Sequence, residues 1–130
     1  KQKMKIQGYP QKEYSVPTKR YCQMLELKNN PRLIAEYVKR HGKMHHWAEI
    51  RDGIRSVGIL EMEIYRLGTK LVMIVETPLD FQWDAAFEKL ATLPRQTEWE
   101  EYMSEFQQVE MNVTSFEKWQ LMDRFFYLYE

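Results

Sequence analysis

Along this 130-residue chain the apolar positions switch between a period of two and a period near 3.6. The stretch "KRYCQMLEL" (19–27) partly alternates in polarity, which predicts a strand with one buried face. "ILEMEIYRL" (59–67) sets Leu60, Met62 and Ile64 against Glu61, Glu63 and Tyr65, a second strand with one apolar face. "LVMIVE" (71–76) is apolar on both faces and predicts a central strand, with Gly68 marking the hairpin turn before it. "RFFYLY" (124–129) predicts a closing strand from its aromatic content.

Helices fill the intervals. Asn30 before Pro31 reads as an N-cap followed by proline at the first helical position, and Gly42 reads as the stop. A second helix is expected from about His45 to Ser56, with Trp47, Ile50 and Ile54 on one side and Glu49, Arg51, Asp52 and Arg55 on the other. Others are expected over 81–90 and 95–107, and Thr114 with Glu117 forms a capping-box signal. Residues 1–18, with Gly8, Pro10 and Pro17, predict a poorly ordered arm ahead of a single domain over 19–130.

The resulting order β-α-β-β-α-β, with extra helix turns, is the ferredoxin-like pattern: an α+β fold whose antiparallel sheet carries helices on one face. Such a sheet leaves its other face uncovered. A second copy packed there by a two-fold interface is the simplest cover, so a homodimer is expected.

Composition narrows the function. Apolar residues make up 44% and charged residues 29%, an ordinary globular balance. Formal net charge is zero, but residues 1–20 hold six basic side chains against one acidic, and the remainder thirteen against eighteen. A mildly acidic body argues against nucleic acid as partner. The single cysteine, Cys22, precludes an internal disulfide and a cysteine-based zinc site. No apolar run reaches the ~18 residues of a membrane helix. The expectation is a cytoplasmic protein, with a removed leader ahead of Lys1 left open.

All three histidines fall in "IAEYVKRHGKMHHWAEI" (34–50). On a helical wheel Tyr37 and His41 lie one turn apart within the stripe of Leu33, Ile34 and Val38, facing the sheet. One reading is a core tyrosine with a helix-ending histidine that favours the C-terminal dipole. A second is a pocket edged by an imidazole that can both take and give a proton. A metal site from His41, His45, His46 and Glu49 is the third, but no recognised ligand spacing supports it. Phosphate loops, hydrolase elbows and cofactor fingerprints are missing, so no cofactor is expected.

These residues carry a resemblance. "YCQMLELKNNPRLIAEYVKRH", the Trp and "EI" of "WAEI", "GILEMEIYRLGTKLVMIVET" and "LATLPRQTEWEEYMSEFQ" together resemble the L-rhamnose mutarotase family, from Lys19 to Gln107 and more loosely through "EKWQLMDRFFYL". The resemblance implies a dimeric α/β barrel of ferredoxin-like subunits and a cofactor-free sugar isomerase. It implies Tyr37 and His41 as the helix tyrosine and catalytic histidine, with Trp47 and Trp99 as site aromatics. The sequence departs from the pattern in a longer His-to-Trp gap, in Ala48 for a frequent proline, and in Glu100 for the second of a tryptophan pair. Met62 stands at a substrate-facing position where the rhamnose type resembles itself in having tyrosine.

The implied reaction interconverts sugar anomers. A proton leaves the anomeric hydroxyl, another reaches the ring oxygen, the ring opens, C1–C2 rotates and the ring recloses. His41 would be the main acid/base and Tyr37 the group that orients or relays. The expected substrate is a 6-deoxy or related monosaccharide such as L-rhamnose or L-fucose. A non-catalytic sugar-binding or assembly module and another cofactor-free α/β-barrel enzyme stand as alternatives.

Overall fold

A computed structural model describes residues 7–109 and 118–130. The chain runs β1 (Thr18–Glu26), α1 (Pro31–Arg40), α2 (Ala48–Ser56), β2 (Glu61–Leu67), β3 (Lys70–Pro78), α3 (Trp83–Leu90), α4 (Gln96–Ser104) and β4 (Gln120–Leu121). The sheet is antiparallel in the order β2-β3-β1-β4. This is the ferredoxin-like α+β arrangement, and β3 occupies the central place that its unbroken apolar run called for.

Register follows polarity. Gln23 opposite Met73, Leu25 opposite Leu71, and Met73 opposite Ile64 all face the helices. Leu25, Leu27, Leu71, Met73 and Val75 are buried there with Ile50, Phe87, Leu90, Trp99 and Met103. Burying each such side chain contributes about 1.5–3 kcal/mol. On the opposite face Cys22, Met24, Val72 and Ile74 are only half-buried, and no described helix packs on them. The hairpin between β2 and β3 closes in two residues, with Gly68 at φ 62°, a conformation that favours glycine.

The α1 cap forms as expected: Asn30 Oδ1 accepts from the backbone N–H groups of Arg32 at 3.0 Å and Leu33 at 3.2 Å. Gly42 ends the helix without a left-handed turn. A side chain there would come within 3.1 Å of the Lys39 carbonyl, which accepts the Gly42 N–H at 3.0 Å.

Two expectations are corrected. The second helix begins at Ala48, because His45 and His46 both donate their backbone N–H to the Gly42 carbonyl in a turn. The closing strand is not 124–129 but the two-residue β4, pairing with Gln23 and Met24. The aromatic run lies beyond that pairing without a ladder partner among the described residues, and Phe125 is 97% exposed. Strand propensity without a neighbouring edge makes no sheet. The Thr114–Glu117 capping box lies outside the described residues. Residues 7–17 carry no helix or strand and run beside β2, where Tyr14 Oη donates to the Leu60 carbonyl at 3.1 Å.

Candidate active site

Between the sheet and helices α1, α2 and α4 lies a cavity of about 600 Å³, within the range of small-ligand sites. It persists because several inward positions carry polar side chains that cannot close into an apolar contact. The sheet contributes Gln23, Met62, Ile64, Leu71 and Met73, and the helices contribute Tyr37, His41, Ile50, Trp99 and Met103. Tyr37, His41, Trp47, Trp99 and Met62 thus all line one space. His46 lines it too, with Nδ1 buried and without a hydrogen-bond partner among the described residues, whereas His45 is exposed.

The first helix sets the chemistry. Tyr37 is buried, and His41, one turn later, is the C-cap residue. Their rings lie 4.5 Å apart between centroids. His41 Nδ1 sits 2.7 Å from the Tyr37 backbone carbonyl oxygen. A carbonyl only accepts, so Nδ1 carries the hydrogen and Nε2 keeps the lone pair in the neutral ring. Burial pulls the His41 pKa below the usual imidazole value and the nearby Arg51 adds to this, while the carbonyl contact opposes it. Neutral His41 is therefore a ready proton acceptor.

The phenol is tuned the other way. Burial pushes Tyr37 up to about 12, against the opposing effect of Gln107, whose amide donates to Tyr37 Oη at 3.1 Å. Tyr37 stays protonated near neutral pH, so its hydroxyl is able to donate. The pair offers one group that accepts a proton and one that gives a hydrogen bond.

Aromatic rings form the walls. Trp99 meets His41 edge-on at 5.3 Å and Trp47 at 5.1 Å. Trp47 lies parallel to Tyr102 at 6.0 Å, with the Arg95 guanidinium 3.8 Å above it. Arg95 takes a left-handed φ of 64° at the start of α4 and pairs with Glu49 of α2 and Glu98 of α4. Arg51 donates to the His41 carbonyl at 2.9 Å, tying α2 to the end of α1.

Sequence reasoning missed a polar set at the inner end. Lys118, 5% exposed, donates to the Glu100 backbone carbonyl at 2.7 Å, and Gln96 donates to the Glu100 carboxylate at 2.8 Å. Burial lowers the Lys118 pKa and the Glu100 charge opposes that shift. Gln23 and Gln107 complete the set. One signal was available: Gln23 stands at an inward position of β1, where alternation calls for an apolar residue. Among the described residues no three His, Cys, Asp or Glu side chains gather to hold a metal, and no helix is long and apolar enough to cross a membrane.

Fold and cavity together set an imidazole and a phenol opposite apolar and aromatic walls in a small α+β domain. The chain belongs to the L-rhamnose mutarotase family, whose sequence pattern matches residues 20–128, and it is an isomerase that interconverts sugar anomers. It is 34% identical over 111 residues to the L-fucose mutarotase of Xanthomonas campestris pv. campestris, spanning 85% of this chain and 89% of that protein. A UPF0734 protein of Dictyostelium discoideum is 41% identical over 91 residues, 69% of this chain and 71% of its own length. The crystal structure of an L-rhamnose mutarotase from Formosa agariphila superposes with a TM-score of 0.58 at 18% identity, covering 85% of this chain and 98% of that one, a likeness of fold.

Proposed function

We propose that the chain catalyses anomer exchange of a 6-deoxy-L-hexose, L-fucose or L-rhamnose, with His41 as the base and Tyr37 as the donor. One observation carries the residue assignment: the Tyr37 carbonyl holds His41 Nδ1–H, which leaves Nε2 free as an acceptor. In the scheme, Nε2 removes the proton of the anomeric hydroxyl, C1 becomes a carbonyl carbon and the bond to the ring oxygen breaks. The ring oxygen gains its proton within the hydrogen bond from Tyr37, and the imidazolium restores the phenol's proton directly or through the sugar. Rotation about C1–C2 and the reverse steps give the other anomer. Proton transfer of this kind is typically worth about 10²–10⁴ in rate.

The apolar walls suit the C–H face and methyl group of a deoxy sugar. Trp47 and Trp99 present rings to that face, and Met62 lines the floor. Saturation-transfer NMR across a panel of L- and D-sugars tests the proposal. Accelerated exchange for L-fucose or L-rhamnose is the expected result, and no acceleration for any sugar overturns it.

The working unit in this reading is a homodimer. Half-buried Cys22, Met24, Val72 and Ile74 form an apolar centre on the helix-free face, and exposed Phe125, Phe126 and Leu128 extend the apolar surface of the chain. A second copy, packed sheet to sheet, is the occupant that matches a surface of this kind.

A further inference from the structure

Two side chains that the reaction scheme does not use sit deep in the cavity. Gln23 projects from β1 and Gln107 follows α4, each 2% exposed. Gln23 Nε2 donates to the Trp119 backbone carbonyl at 3.2 Å. A carbonyl accepts and never donates, so this contact fixes the amide's orientation and leaves Oε1 on its other side. Gln107 is held by the bond from its amide to Tyr37 Oη. Both Oε1 atoms are buried without a hydrogen-bond partner among the described residues. Orphan buried acceptors are few in native proteins and costly to stability, so two in one cavity point to a ligand that satisfies them.

The chemistry of that ligand follows from the atoms. Amide oxygens take hydrogen-bond donors. Around them stand Lys118, Gln96 and Glu100 of the same polar set, with Ile64, Leu71 and Met73 on the sheet side. A neutral molecule with several hydroxyls and an apolar flank satisfies both demands. Resting on the mutarotase reading, we propose that Gln23 Oε1 and Gln107 Oε1 each accept a hydrogen bond from a sugar hydroxyl other than the anomeric one. They thereby set which sugars bind. Gln107 has a second task as a positioning residue. Its N–H occupies a lone pair of the Tyr37 oxygen, so the phenol's own hydrogen is directed elsewhere, free for the ring oxygen.

Gln23 gives the cleaner test, because it does not touch the proton-transferring pair. Gln23→Met keeps the length of the side chain and removes the acceptor. Its expected signature is a KM raised about 10- to 100-fold, with the change in KM rather than kcat. Monodeoxy analogues sharpen it. Wild type should disfavour the analogue lacking the bound hydroxyl by a similar factor, and Gln23→Met should treat that analogue and the parent sugar alike. A folded Gln23→Met enzyme with unchanged KM and unchanged discrimination overturns the assignment. If the variant does not fold, side-chain amide NMR of the wild type decides. Saturating sugar should shift the Gln23 and Gln107 amide signals, and unmoved signals overturn the assignment equally. Absence of catalysed exchange in the wild type itself removes the mutarotase reading on which the proposal rests. Exchange by the wild type with an unaltered Gln23→Met removes this assignment alone.

Discussion

His41 Nδ1 and the backbone carbonyl of Tyr37, 2.7 Å apart, decide which imidazole nitrogen can act. Because the acceptor is a main-chain atom one turn back on the same helix, most substitutions of Tyr37 would leave the tautomer intact. The imidazole of His41 and the phenol of Tyr37 are thus separable by mutation.

His41→Ala should lower catalysed anomer exchange by about 10²-fold or more while the fold survives. Exchange rate by NMR and melting temperature by circular dichroism, taken on the same samples, check it. Core packing as the sole role of His41 would instead make activity track stability. A folded variant with near-normal rates would sink the mechanism.

Tyr37→Phe should cost less, about 10-fold, since the base remains. Its loss should fall on kcat, because the phenol's hydrogen bond strengthens as the ring oxygen gains negative charge. A loss as large as that of His41→Ala would instead mean that the proton given by Tyr37 is as indispensable as the one taken by His41.

The pH profile has a determined sign. His41 must be neutral to accept a proton, and burial holds its folded pKa below 6.5. The rate should therefore stay level as pH falls through 6.5 and decline only below it. Stability runs parallel. Below 6.5 the unfolded imidazole binds a proton first, so the contribution present above 6.5 is lost as pH falls through the lower folded value. Denaturant midpoints in the wild type and in His41→Ala should converge at acid pH. At the alkaline end Tyr37, at about 12, remains protonated past the usual phenol value of 10, so ionisation of this group should cause no rate loss below that pH.

Much of this was legible from sequence, and the reasons differ by residue. Asn30–Pro31 is a local signal whose cap depends on adjacent backbone alone, so α1 was readable, and with it the shared face of Tyr37 and His41. β3 was readable because an unbroken apolar run has no place at a sheet edge. His46 was misplaced because the Gly42 turn displaces it from the helix that its neighbours suggested. "RFFYLY" misled because composition reports what a strand prefers, while pairing depends on which edge is free. Gln107 and Lys118 escaped notice because their inward direction is set by packing between distant segments, to which no short stretch of sequence is sensitive.

Ile74→Lys should test the dimer. Ile74 lies on the helix-free face of the central strand, away from the cavity. A lysine buried in a sheet-to-sheet interface would be desolvated among apolar side chains, which is costly. Light scattering should show a dimer for the wild type and a monomer for the variant. A monomeric wild type at micromolar concentration would count against the barrel assembly.

Tyr37 and His41 belong to one ten-residue helix and its cap, whereas Gln23 and Met62 come from two strands and Gln107 and Lys118 from segments much later in the chain. The proposed reacting pair keeps its spacing from the pitch of a single helix, however the rest of the wall is varied. Substitutions on the strands can then redraw substrate preference while leaving the proton-handling apparatus untouched. Such a division of labour is what lets a scaffold explore neighbouring sugars by single mutational steps without passing through inactive intermediates.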